Sequence, residues 1–239
     1  PLRRVIVLGP AHRVPVRGLA LAGADSFATP LGAIEVDQAA IATIAALPQV
    51  VLSPPAHAME HSLEVQLPFL QTVLDDFKLL PLVVGDATAA EVAEVLERLW
   101  GGAETLIVIS SDLSHFLPYR SAQAVDQQTV QSILALDAHL MHEQACGGTP
   151  VNGLLLATRR HHLQPRRGEL LDASRRAQRL DLQPEMARQL VLGGAVLLHL
   201  LEPVTVAQQL EVLKGGEERG EDEEHADEDG AQHLAMPLF

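Results

Sequence analysis

The sequence predicts an α/β fold: a single domain with a mostly parallel or mixed central sheet flanked by helices. Three observations carry this reading. Residues 4–8, Lys78–Val84 and Thr105–Ile109 are short, nearly continuous apolar runs, the pattern of strands covered on both faces. Segments with helical spacing separate them through the first two thirds of the chain, the alternation that builds sheets with crossover helices. Each run also ends in polar or glycine residues: Gly9-Pro10-Ala11-His12, Gly85-Asp86 and Ser110-Ser111-Asp112-Leu113-Ser114-His115. Strand ends of this kind are where open α/β proteins place their sites, so the three ends predict one shared crevice.

The elements follow in order. After the first strand come short extended segments at Leu19–Leu21 and 33–36, separated by glycine and Thr29-Pro30 turns. Asp37 caps a helix running through Ala46, with Pro48 beyond it as a stop. Pro54-Pro55 makes the start of the next segment extended. Leu63, Leu67 and Leu70 recur at helical spacing, which predicts an amphipathic helix begun near His61 and kinked at Pro68. A helix over 88–100 ends at Gly101-Gly102 and leads into Thr105–Ile109. Longer helices are expected over 121–142, which includes His139 and His142, and over 151–162 after Gly147-Gly148-Thr149-Pro150. Strands are expected at 169–173 and 190–201. The domain is expected to span 1–203, followed by an acidic, disordered tail over 204–239. Within that tail, residues 215–230 hold nine acidic side chains against one arginine.

Composition removes several classes of function. With 239 residues and 47% hydrophobic content, the chain has enough apolar mass for one substantial core. A net charge of −14 and only 3% aromatic residues argue against a nucleic-acid partner, which needs basic patches and stacking platforms. No apolar stretch is long enough to span a membrane. The single cysteine, Cys146, excludes an intrachain disulfide and fits a reducing, cytoplasmic compartment. Pro1 stands where a methionine would start a complete chain, and a strand follows at once, which predicts a fragment of a longer protein.

Residues able to carry chemistry gather around the strand ends. His12 follows a tight Gly9-Pro10 exit; a lone histidine there is more often structural or simply exposed. A second polar cluster, His57, Glu60, His61 and Glu64, places two histidines four apart, but not in the order of a zinc-protease helix. Asp112 and His115 lie three apart, close enough for one to orient the other or for both to line a pocket, although Asp112 also reads as a turn cap. Cys146 precedes Gly147-Gly148 and a helix start, a position at which backbone amides favour a reactive sulfur. There is no nucleophile elbow, phosphate loop or dinucleotide-binding glycine turn, so no nucleotide cofactor is expected.

Taken in order, the blocks VIVLGPAH, ATPLGAIEVD, EHSLEVQLPFL, LPLVVGD, VISSDLSHFLPY and ACGGTPV resemble the Memo family, also called protein B of the AmmeMemoRadiSam system. The resemblance runs from about Arg4 to Ala157, with a fainter echo at Val191-Leu192-Gly193-Gly194-Ala195. It implies a fold like that of class III extradiol dioxygenases and a metal crevice at the sheet edge. By this resemblance His12 and Cys146 correspond to metal ligands, and His61, Asp112 and His115 to residues lining the same pocket. The ion implied is copper or iron. The family also places a strand ending in Pro-His-Ala-Gly-Tyr upstream of the Gly-Pro-x-His block, and this chain begins after it. The family's Ser-Gly-Asp segment is not reproduced at Asp172-Ala173-Ser174-Arg175.

Three functions compete. The first is a metal-binding, redox-active protein linked to a radical-SAM system. The second is a binding module that holds a peptide or protein partner of such a system in the same crevice without turnover. The third is extradiol ring cleavage, which ranks last because the family's cysteine stands where those enzymes have a carboxylate.

Overall fold

In the computed structural model, which describes residues 2–165, a five-stranded mixed sheet is flanked by helices in an α/β arrangement. The strands are β1 (Arg4–Pro10), β2 (Leu19–Leu21), β5 (Val50–Leu52), β6 (Lys78–Val84) and β7 (Thr105–Ile109), in the order β5-β2-β6-β1-β7. Two short strands, β3 (Ser26–Thr29) and β4 (Gly32–Glu35), form a separate antiparallel hairpin. β1 lies between β6 and β7 and runs parallel to both, with Leu8 opposite Leu82 on one side and Ile109 on the other. β2 is antiparallel to β6 and parallel to β5, which makes the sheet mixed.

Side-chain alternation along the central strands divides the interior into two layers. Ile6 and Leu8, with Leu80, Leu82, Ile107 and Ile109, face α1 (Gln38–Ile44), α4 (Ala89–Leu99) and α6 (Gly148–Arg160). Val5 and Val7, with Leu79, Val83, Leu106 and Val108, face α2 (Pro54–Ala58), α3 (Leu67–Val73) and Ile34 of the hairpin. Val5, Ile6, Val7 and Leu8 are all fully buried, so β1 is the spine of the molecule. Pro81 sits within β6 without breaking the ladder. Lys78 and Val84 bond toward β1, while the Leu79 carbonyl accepts from Asp37 on the other side. Alternation puts Pro81 on that outward side, between the Leu79 bridge and the short pairing with β2, where a missing N–H costs no bond to β1.

Several expected elements shift. The segment opened by Pro54-Pro55 is helical, because both prolines occupy the first turn, where a missing N–H is harmless. α2 ends at Ala58, so His57 and His61 share no helix face. The amphipathic helix begun near His61 is a 3-10 turn, Glu64–Gln66, followed by α3, and Pro68 lies in the first turn of α3 instead of kinking its middle. Leu63, Leu67 and Leu70 are nonetheless all buried. α5 (Tyr119–Leu134) stops well before residue 142, leaving His139 and His142 outside any helix; His139 is exposed and paired with Asp137. α6 starts at Gly148, earlier than expected. The strands expected at 169–173 and 190–201, the boundary at residue 203 and the acidic tail lie outside the described residues.

Two carboxylates tie local structure to pH. Asp37 caps α1 by accepting from the Ala40 N–H at 2.9 Å, and also accepts from Arg4 Nε at 2.8 Å. Burial pushes its carboxyl up, but the Arg4 bond and the Ala40 N–H outweigh burial and hold it below the ordinary range. Glu91 closes a capping box with Thr88 at the start of α4. Hydrogen bonding to Arg17 first, then to Thr88, brings its carboxyl down to about 2. Both folded values lie below the unfolded ones, so their stabilisation is complete above the ordinary carboxylate range and is lost as pH falls through the folded values. The urea midpoint should therefore drop between roughly pH 5 and pH 2, and Asp37→Asn should make that fall shallower. An unchanged profile in the variant would refute the assignment to Asp37.

Candidate metal centre

β1 and β7 run parallel in register, so the segments that leave their C-terminal ends emerge at one edge of the sheet. The last bonds there are Ser110 N–H to the Leu8 carbonyl at 2.7 Å and Ala11 N–H to the Val84 carbonyl at 2.9 Å. Beyond them, β7 delivers Asp112 and His115, and β1 delivers His12.

Cys146 reaches the same edge through the turn ahead of α6. Two reciprocal bonds fasten it to the end of β7: the Cys146 N–H donates to the Asp112 carbonyl at 3.2 Å, and the Asp112 N–H donates to Cys146 Sγ at 3.2 Å. Ser111 is the rivet of this junction. Its hydroxyl accepts from the Gly147 N–H at 2.8 Å, donates to the Asp112 carbonyl at 2.8 Å and lies 3.8 Å from Cys146 Sγ. The junction is tight enough that a Cβ on Gly147 would stand 2.7 Å from Ser111 Cβ. Ser110 is also buried, and its hydroxyl accepts from Gln66 Nε2 at 3.0 Å.

Asp112, His115 and Cys146 therefore converge, with one donor atom from each lying within 4.8 Å of the others. Donors sharing an ion at about 2.0–2.3 Å are separated by at most about 4.6 Å. A thiol, an imidazole and a carboxylate at this spacing need only a small contraction to hold a metal, and the sulfur and nitrogen donors suit a transition metal over calcium or magnesium. His115 Nε2 lies 3.4 Å from Asp112 Oδ2, and both side chains are part exposed. The loop beyond is tied to α5 through the Ser114 N–H, which donates to Asp126 Oδ1 at 3.0 Å.

The other expected site residues divide. His12 lies outside the three-residue group; its main-chain N–H donates to Glu60 Oε2 at 2.6 Å, and its Nδ1 lies 2.9 Å from Glu60 Oε1. His61 is exposed and paired with Glu64, one 3-10 turn away, and does not join the group. His57 bonds through Nε2 to the Ala20 carbonyl, and burial pushes its imidazole down toward the neutral form, a structural role under β2. Glu60, which the sequence reading placed in a polar cluster but gave no role in the site, is buried although Met59 beside it is exposed. No sequence signal distinguishes Glu60 from an ordinary surface acid, since only the chain path reverses the two. Among the described residues, no helix is long and apolar enough to cross a membrane.

A MEMO1 family protein of Archaeoglobus fulgidus is 38% identical over 147 residues, covering 58% of this chain and 54% of that protein. MEMO1 family proteins of Methanosarcina barkeri and Aquifex aeolicus are 34% and 35% identical, covering 63% and 62% of this chain. The chain spans only 54–60% of the length of these three relatives. The family described as Memo-like protein matches residues 1–177, about three quarters of the chain and all of the candidate centre, and the chain belongs to that family.

Proposed function

We propose that the crevice at the ends of β1 and β7 binds one copper or iron ion, with Cys146 and His12 as ligands and Asp112 and His115 completing or supporting the set. The observation that carries this reading is the convergence of a cysteine sulfur, an imidazole and a carboxylate at near-ligand spacing, on main-chain bonds that hold the sulfur in place. His12 enters the set because it leaves the strand next to β7 at the same sheet edge. When bound, such an ion supplies Lewis acidity and one-electron chemistry. The protein's own contribution is positional: Ser111 and the Asp112 N–H hold Cys146, and Asp112 Oδ2, 3.4 Å from His115 Nε2, faces the imidazole that would move a proton. A site at the C-terminal ends of parallel strands also supports the likeness to class III extradiol dioxygenases. A cysteine ligand fits a cytoplasmic setting.

A second reading has its own observation. Immediately after His115, Phe116 is fully exposed at φ 58°, and Leu117 and Tyr119 are also exposed. An apolar rim beside the crevice suits a peptide or protein partner, and family membership supports placing that partner in a radical-SAM system.

Metal analysis separates the two. The purified chain, exposed anaerobically to Cu(I) or Fe(II) and then dialysed, should retain about one ion per molecule. Retention of neither ion would overturn the metal reading and leave the rim as the functional surface.

A further inference from the structure

The burial of Glu60 needs a reason. A carboxylate costs free energy to desolvate, whereas a methionine gains by it, yet Met59 is 64% exposed and Glu60 only 5%. The local chain has turned against its own hydropathy. Inversions of this kind are expected where a side chain serves a site instead of the core.

What Glu60 touches is specific. Its two oxygens accept three bonds, and two of them come from a single residue: the His12 N–H to Oε2 at 2.6 Å and His12 Nδ1 to Oε1 at 2.9 Å. The third donor is the Ser62 N–H at 3.0 Å, and the Ser62 hydroxyl donates back to the Pro10 carbonyl at 3.0 Å. Segment 60–62 thus grips segment 10–12 from both ends, just where β1 leaves the sheet. A carboxylate that only capped a loose chain end would need the main-chain N–H alone. This one also takes the ring.

Facing an oxygen that only accepts, Nδ1 must carry the hydrogen. In the neutral ring the lone pair then resides on Nε2, which makes no hydrogen bond among the described residues, and the side chain is 43% exposed. We infer that Glu60 is a positioning residue: it locks His12 as the Nδ1–H tautomer and leaves Nε2 as its one free donor to an ion in the crevice. This rests on His12 being a ligand, as proposed above, and deepens that reading by naming the ligating atom and the group that selects it. Carboxylates that bind the far nitrogen of a ligand histidine in this way fix both tautomer and ring direction.

The test has two independent arms. Long-range 15N–1H NMR of the demetallated full chain should give His12 a protonated, pyrrole-type Nδ1 and a pyridine-type Nε2. Glu60→Gln, which keeps the shape but presents both an acceptor and a donor to the ring, should yield a mixture of tautomers and weaken Cu(I) or Fe(II) binding about 10–100-fold. Glu60→Ala should do both more completely. A wild-type His12 with a pyridine-type Nδ1 overturns the inference, as does a Glu60→Gln chain with unchanged tautomer and unchanged affinity. If the wild-type chain binds neither ion, the metal reading fails while the NMR arm still decides whether Glu60 sets the tautomer.

Discussion

Cys146→Ser should abolish the proposed copper or iron binding while leaving the chain folded. The substitution replaces a thiolate donor by a hydroxyl, which remains protonated and binds copper or iron poorly. Affinity for Cu(I) or Fe(II) should fall at least about 100-fold, a larger loss than for a group that only supports a ligand. The fold should tolerate the change, because serine oxygen still accepts from the Asp112 N–H and the Cys146 N–H still bonds the Asp112 carbonyl. Metal retained after dialysis, read beside the thermal unfolding midpoint of the metal-free chain, checks both parts. Full retention of metal by the serine variant would remove Cys146 from the ligand set.

Gly18→Ala should be the most damaging small substitution in the sheet. Gly18 adopts φ +87°, and a Cβ there would stand 2.0 Å from the Gln49 carbonyl oxygen. That oxygen cannot retreat cheaply, since it accepts the Leu19 N–H at 2.7 Å at the start of the β2–β5 pairing. Gly18 itself donates to the Asp86 carbonyl and accepts from Gly85, which ties β2 to the end of β6. Backbone strain and a steric clash together should cost about 3 kcal/mol or more. Urea denaturation of the variant measures it, and a loss below about 1 kcal/mol would show that the junction yields.

How much of this was readable from sequence varies by element, for physical reasons. β7 has the expected bounds because a strand covered on both faces is a nearly unbroken apolar run, and Leu106–Ile109 lies between the polar Thr105 and Ser110. The helix expected over 88–100, with Gly101-Gly102 as its terminator, is α4, and the structure adds a capping box of Thr88 and Glu91 at its start. Proline misled twice, at Pro54-Pro55 and Pro68, since its effect depends on whether it falls in a first turn, and propensity alone does not locate that turn. The antiparallel direction of β2 was not legible, because a three-residue strand carries no directional signal.

The candidate centre divides in the same way. Asp112 and His115 follow a strand end, so local sequence placed them. Their meeting with Cys146 depends on the turn before α6 returning to β7, which family resemblance anticipated and spacing did not. His61 was read as pocket-lining by family resemblance, but it pairs with Glu64 beside a 3-10 turn, and its buried neighbour Glu60 lies beside His12.

The central position of β1 also has a kinetic meaning. Arg4 pairs with Lys78 on one side and Thr105 on the other, so β1 closes its ladder only after two distant partners have been captured. Loop closure over such separations is slow compared with forming α4 or α6 locally. The donors at the ends of β1 and β7 stay apart until that closure, so an ion present during refolding finds its full binding set only when the sheet is complete. On the proposed metal reading, tight binding of an ion to that set would draw the folding equilibrium forward by mass action.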